Sequence, residues 1–478
     1  MRVLIASSTY PPQTNGQAVF TGNLAEGLVR RGHEVLVIMP ALDQNYGDTT
    51  CKGVKLHRLP STPLRIIHED FRISLSYGKR VNQQLRAFRP DIIHLQDSAP
   101  VSRYLLKQAH RLKIPVLATH HPGKEVSAPY FSSSNPILKH IIDWFAWRWL
   151  ISFLNQPDLI VVPSHASVEM LIQQGLKTSV RPISCGVDAH LFSPDPTCDP
   201  AELRAAYRLP IDKPIFLYVG RIDTEKCIDV LIRAMSLTTN SNIYLAIAGK
   251  GCSLTQMKSL ANSLGVSDRV RFLGEVDHDL LPALMGCADI FTMPGDAESL
   301  SIATIEAMSC GKPVLAARAM ALTELITHRK NGLLFEPKSP KDAAQKMDLL
   351  AAHPEWWEAY GQAGRLKADQ HNLSATIDHY VKLFLEMRQK TAAYGLVYGA
   401  PGRAAWFLKR TVRVLIMVIF LLFATGMLRQ SSIAPVQASR VDDLRALTGE
   451  ALVDDILEHI SDLDVHFDMD LDETLNLD

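Results

Sequence analysis

Residues 289–317 read DIFTMPGDAESLSIATIEAMSCGKPVLAA, and their pattern decides the fold. DIFTMP is an apolar run of strand length, and Pro294-Gly295-Asp296 is a turn. The residues after Glu298 read as a helix, and KPVLAA returns to a buried strand. Strand, helix and strand in that order form a crossover unit of an α/β domain. Within it Glu298 and Glu306 stand eight residues apart, a little over two helical turns, so both carboxylates can share one helix face. With the helix starting just after Glu298, the N–H groups of Ser299, Leu300, Ser301 and Ile302 are first-turn donors without intrahelical acceptors. Such a terminus suits a phosphate, and a carboxylate on either side of it suits the hydroxyls of a sugar. Two Glu on a surface helix are otherwise ordinary charge; the α/β context gives this pair weight.

Outward from this unit the same alternation continues. PIFLYVGR, IYLAIAGKG, VRFLGEV and GLLFEP read as further strands, with CIDVLIRAMSL, LTQMKSLANSLG and DLLPALMGCA as helices between them. The turn-rich segment SPDPTCDP (193–200) precedes this set. Before it a first set repeats the pattern, with RVLIASS, HEVLVIMP, DIIHLQD, PVLATHH, LIVVPS and VRPISCG as strands. FTGNLAEGLVRRG and SRYLLKQAHRLK are its helices. The chain therefore divides into an α/β doubly wound, Rossmann-like domain at 1–195 and a second at 196–370, facing a cleft at the carboxyl ends of their strands. A further helix at 371–395 is expected to pack back on the core.

Val414–Leu428 is nearly continuous apolar sequence. Counted from 411, the eighteen residues to 428 span about 27 Å as a helix, against a hydrocarbon core of about 30 Å. Trp406, Lys409, Arg410 and Arg413 flank its start as at a cytoplasmic membrane face, so 411–428 reads as a membrane anchor. The segment 429–478 is acidic, with thirteen Asp or Glu against two Arg from Arg440 onward. Formal net charge is zero overall, which gives no argument for nucleic acid and leaves the part before the tail basic. Seven cysteines without a C-x-x-C pair argue against a zinc site or disulfide scaffold. MRVLIASS runs directly into a strand and lacks a signal-peptide layout.

Four smaller patterns fall at strand ends. YPPQTNGQA (10–18) is a turn in which Gly16 lets backbone approach a pyrophosphate. ATHHPGKE (118–125) places His120 and His121 where an imidazole can donate to a sugar hydroxyl or oxyanion, although structural histidines fit equally. VGRIDTEK (219–226) brackets a turn with Arg221 and Lys226, two cations suited to a diphosphate leaving group. PILKHIIDWFAWRWLISFL (136–154) reads as a core helix of the first domain, while its three Trp, Lys139, His140 and Arg148 also suit a lipid interface.

As a set, PPxxNG, RRGHEV, PDIIHLQD, T-x-H, ISxGVDxxxFxP, VGRxxxEK, E-x7-E and NGLLF resemble the retaining GT-B glycosyltransferases of family 4, from Met1 to about residue 390. The resemblance implies a UDP- or GDP-sugar donor held mainly by the second domain. It implies Arg221 and Lys226 on the diphosphate, Glu298 on the transferred sugar, Glu306 on the ribose, Gly16 in the loop over the diphosphate, and His121 in the cleft. It implies retention of anomeric configuration with no cofactor and no metal. THHPGKEVSAPYF, the Trp-rich helix, Asn155 and Asp158 are similar to bacterial enzymes that glycosylate diacylglycerol or phosphatidylinositol, which implies a lipid acceptor at the cytoplasmic face of a membrane. SLSI follows Glu298 where many relatives carry a glycine-containing pair, and Cys185 stands where Asn is usual. Two other readings share these residues: a nucleotide-sugar epimerase of the same fold, and a membrane-tethered scaffold without catalysis.

Overall fold

The structure, a computed structural model, describes residues 1–13, 15–43, 45–63, 72–74, 77–121, 136–193 and 199–394. The expected anchor at 411–428 and acidic segment at 429–478 lie outside the described residues. Among the described residues no helix is long and apolar enough to cross a membrane.

The first sheet is built from β1 (Arg2–Ala6), β2 (Glu34–Pro40), β3 (Gly47–Cys51) and β4 (Val54–Leu59). A separate short pair follows, β5 (Thr62–Pro63) and β6 (Arg72–Ile73). The sheet then continues with β7 (Ile92–Leu95), β8 (Val116–Thr119), β9 (Leu159–Val162) and β10 (Val180–Pro182). Its order is β10-β9-β8-β7-β1-β2-β4-β3, parallel except where β3 pairs antiparallel with β4. That hairpin is absent from the sequence reading. GDTTC is polar and mostly exposed, an edge strand with no apolar run to betray it. Helices α1 (Gly16–Arg30), α2 (Gly78–Phe88), α3 (Pro100–Leu112), α4 (Pro136–Leu154) and α5 (His165–Gln173) connect the strands.

The second sheet holds β11 (Ile215–Val219), β12 (Tyr244–Ala248), β13 (Val270–Gly274), β14 (Ile290–Met293), β15 (Val314–Ala317) and β16 (Gly332–Phe335). Its order is β13-β12-β11-β14-β15-β16 and every pairing is parallel. These strands are Val-, Ile- and Leu-rich because helices cover both faces: α6 (Pro200–Ala206), α7 (Ile228–Leu237), α8 (Leu254–Ser263), α9 (Leu281–Cys287), α10 (Ile302–Ser309), α11 (Leu322–Leu325), α12 (Pro340–Ala352) and α13 (Trp357–Ala368). Strand order reverses beside β1 in one sheet and beside β11 in the other, which opens a crevice at each.

The last described helix, α14 (Leu373–Tyr394), belongs by packing to the first sheet. It buries Ile377, Tyr380 and Phe384, each contributing about 1.5–3 kcal/mol by removal from water. Contact with α1 is close enough that a methyl group on Gly27 would lie 2.2 Å from Ile377 Cδ1, so any side chain there would have to displace Ile377. The halves also meet where Glu324 of α11 accepts hydrogen bonds from the N–H groups of His165 (3.1 Å) and Ala166 (2.6 Å) at the start of α5. A carboxylate suits the positive end of that helix. Among its described side chains, helix α4 buries Leu150, Ile151, Phe153 and Leu154, with Trp147 packed against the same core, while Trp144 is 52% exposed.

Candidate active site

Strands β11 and β14 are neighbours at the reversal, and the loops leaving them carry the charged residues. After β11, Arg221 is held by Tyr218, whose hydroxyl donates to the Arg221 carbonyl at 2.7 Å, and its guanidinium pairs with Asp223 and Glu225. One 3-10 turn then delivers Lys226, whose Nζ lies 2.7 Å from Glu298 Oε1 on the loop after β14. Both partners are largely buried. Burial works against the lysine's charge, but the Glu298 carboxylate beside it, with Glu225, holds its pKa above the ordinary lysine value. Gly295 makes room for that carboxylate, since a methyl group there would come within 2.8 Å of Glu298 Oε1.

Helix α10 begins at Ile302, later than its sequence indicates. Ser301 sits just before it in the left-handed region at φ 66°, its hydroxyl bonded to Thr304 Oγ1 at 2.7 Å. Glu298 therefore precedes the helix, and the two glutamates do not share a helix face. Ser299, Leu300 and Ser301 belong to the loop, not to a first helical turn, and only Ile302 starts the helix. Their amides are nonetheless donors in waiting. Among the described residues no acceptor pairs with the N–H groups of Ser299, Leu300, Ser301, Ile302 or Ala303. Five consecutive unpaired donors around a left-handed residue make an anion-binding concavity. Glu306, on α10 itself, is buried beside His278, whose Nε2 lies 3.7 Å from its Oε1. The Glu306 carboxylate beside it raises the His278 pKa above the ordinary imidazole value. Phe192 of the interdomain linker packs edge-on against that ring at 5.4 Å.

The first domain meets this concavity with the start of α1. Gly16 is its first residue, not part of a separate turn, and Asn15 caps it by accepting from the Ala18 N–H at 3.0 Å. The N–H groups of Gly16 and Gln17 have no acceptor among the described residues. A methyl group on Gly16 would lie 3.7 Å from Ile302 Cδ1, so the amino ends of α1 and α10 stand side by side across the cleft. Two helix starts, Lys226 and Arg221 give the cleft several donors and two cations for one anion.

His120 and His121 follow β8 directly. His121 Nε2 lies 3.1 Å from Gln96 Oε1 and its Nδ1 lies 3.9 Å from Cys185 Sγ, so both ring nitrogens have protein partners. Burial lowers its pKa to about 4, and those of His120 and His94 to about 3. His120 Nε2 is buried and has no hydrogen-bond partner among the described residues. Asn155 and Asp158 brace backbone: Asn155 accepts from the Lys177 N–H at 2.6 Å, and Asp158 from the Val116 N–H at 2.8 Å. Gly295, Gln96 and His278 are site neighbours that the sequence reading passed over. Gln96 stood inside the quoted PDIIHLQD motif, and Gly295 three residues before Glu298; nothing local marked His278. Among the described residues no cluster of three or more His, Cys, Asp or Glu side chains is placed to hold a metal ion.

Two family models match the chain: Glycosyltransferase Family 4 over residues 14–191 and Glycosyl transferases group 1 over residues 199–367. A GDP-mannose-dependent alpha-mannosyltransferase of Mycobacterium tuberculosis is 30% identical over 352 residues, covering 72% of this chain and 87% of that protein. An alpha-monoglucosyldiacylglycerol synthase of Streptococcus pneumoniae is 26% identical over 346 residues, covering 70% and 75%. In fold, the chain is similar to sucrose-phosphate synthase from Thermosynechococcus elongatus, with a TM-score of 0.69 at 23% identity, covering 82% of this chain and 99% of that one. With both models matched in order and the mycobacterial relative spanned over most of its length, the chain belongs to the group 1, family 4 glycosyltransferases and has the GT-B fold.

Proposed function

We propose that the protein moves a hexose from a nucleoside-diphosphate sugar to a hydroxyl of a membrane lipid, with retention of anomeric configuration. The observation that carries this reading is the meeting of the Lys226–Glu298 pair with the unpaired amides at the starts of α10 and α1. Cleavage of the anomeric C–O bond places negative charge on the departing diphosphate, where these amides, Lys226 and Arg221 act most strongly. As Lys226 turns to the diphosphate, Glu298 is released to accept hydrogen bonds from the sugar. Glu306 takes the ribose hydroxyls. The acceptor oxygen bonds to the anomeric carbon on the face the phosphate leaves, and the acceptor proton passes to a phosphate oxygen, so no separate base is required. With protein cations and amides answering the charge, we infer turnover without a bound metal or cofactor.

Lipid acceptors are supported by relatives whose names include a glucosyldiacylglycerol synthase and a phosphatidylinositol monomannoside mannosyltransferase. Several relatives are named for GDP-mannose, which makes it the first donor to try, with UDP-hexoses beside it. A place at the cytoplasmic face of a membrane is supported by the segment 411–428 and by α2 and α3, which carry Lys79, Arg80, Arg86, Lys107 and Arg111 with no Asp or Glu.

The test is incubation of the purified protein with labelled GDP- and UDP-hexoses and a membrane lipid extract. Label in a glycolipid whose anomeric configuration matches the donor supports transfer. Free nucleotide with an isomerised sugar and no acceptor would establish an epimerase instead. Donor binding with no turnover, unchanged by Glu298→Gln, would establish a scaffold.

A further inference from the structure

We propose that Gln96, Cys185 and Tyr380 are positioning residues that hold His121 as a single neutral tautomer, with its proton on Nε2, at the wall of the cleft. The inference rests on the transfer reading only in giving that imidazole a substrate to face. The geometry is a continuous chain of polar contacts. Gln96 Oε1, an amide oxygen that can only accept, lies 3.1 Å from His121 Nε2, which must then carry the proton. The Gln96 amide nitrogen turns to the ring of His94, at 3.3 and 3.4 Å from its two nitrogens. His94 Nε2 lies 2.7 Å from Thr119 Oγ1, and Thr119 shares a 3.1 Å hydrogen bond with the Tyr380 hydroxyl. At the other end Cys185 Sγ stands 3.9 Å from the bare Nδ1 of His121. Burial pushes the Cys185 thiol up to about 12, so it keeps its hydrogen and can donate it.

Rings lock the same set. Tyr380 stacks on His94 at 5.3 Å, and Phe20 of α1 touches both His121 at 5.4 Å and Tyr380 at 5.7 Å. Among the described residues, the titratable groups around His121 are His94 from β7, His120 beside it, Cys185 after β10 and Tyr380 from α14. All are uncharged at neutral pH, because burial lowers both histidines and raises the thiol and the phenol. Cys185 lies where the chain leaves the first domain, and Tyr380 where it comes back. Cys185 thus meets the His121 imidazole directly, and Tyr380 reaches it through Thr119, His94 and Gln96. This gives a role to the cysteine that departs from the family pattern.

The test uses the full chain, labelled with 15N-histidine, and reads the tautomer and pKa of His121 by imidazole NMR alongside the pH profile of transfer. The wild type is expected to show the Nε2–H form, neutral down to about pH 4. Gln96→Glu supplies a carboxylate, and is expected to raise the His121 pKa by at least one pH unit and to bring a new acid limb into kcat, with donor KM changed less than twofold. Should that variant fail to fold, Cys185→Ala is expected to move the Nδ1 resonance alone. Tyr380→Phe keeps the ring stack and is expected to lower kcat roughly three- to tenfold at constant KM. A wild-type Nδ1–H tautomer, or a Gln96→Glu profile that superimposes on wild type, would overturn the proposal. Because NMR reads the ring without turnover, absence of lipid transfer with the expected tautomer would count against the transfer reading alone.

Discussion

The two walls of the cleft handle charge in opposite ways. On the second domain, Arg221, Lys226 and His278 each face carboxylates, and the Lys226–Glu298 pair is largely buried. On the first domain, burial holds His94, His120 and His121 neutral, and the hydrogen-bond partners of His94 and His121 carry no charge. A departing diphosphate needs the first kind of wall. A hydroxyl on an apolar acceptor tolerates only the second, since unpaired charge beside it would have to be desolvated. On the proposed reading, the charged wall suits the leaving group and the neutral wall the acceptor.

Breaking the charged wall should have the largest effect. Lys226→Ala removes the cation proposed to face the leaving group and strands the buried Glu298, so turnover is expected to fall at least about 100-fold. Stability should drop by about 3 kcal/mol. Adding Glu298→Gln is expected to restore much of the stability and none of the turnover, read by denaturant midpoint and product formation. Equal stability in the single and double variants would mean that the pair is not coupled.

The neutral wall is sharpened by acid. Each buried histidine is neutral in the fold and titrates near 6.5 once unfolded, so unfolding takes up protons below that pH. Stability is full above about pH 6.5 and is lost as pH falls toward 4, by up to about 1.4 kcal/mol per pH unit for each histidine. Denaturant midpoints measured across this window check the slope, and His94→Gln should flatten it. The smallest effect is expected at the seam between the halves. Glu324→Gln weakens the cap on α5 by roughly 0.5–1 kcal/mol, which hydrogen exchange at the His165 and Ala166 amides reports.

Much of this architecture is legible in the sequence, and the exceptions share a cause. All six strands of the second sheet are readable, five of them as apolar runs buried almost throughout, as IFLYV and YLAIA are, and the edge strand VRFLG as a shorter, half-buried run. The β3–β4 hairpin is not, because GDTTC meets solvent and carries no apolar periodicity. Arg221, Lys226 and Glu298 are readable because they follow strands directly, where the fold puts ligands. The true start of α10 is hidden. Ser299 and Ser301 are equally good helix starters by residue type, and only the left-handed turn at Ser301, set by tertiary packing, decides between them. The residues that hold His121 come from the end of β7, the segment after β10 and α14, with Cys185 and Tyr380 nearly two hundred residues apart, so no local pattern can announce them.

Helix α14 has a consequence for how the molecule comes into being. Its side chains Ile377, Tyr380 and Phe384 fill a seam in the half of the protein that a ribosome makes first. That half must wait, open along one flank, until nearly two hundred more residues have been synthesised. Vectorial synthesis thus makes the later domain the earlier one to finish, and the seam is where a chaperone would find its apolar handle.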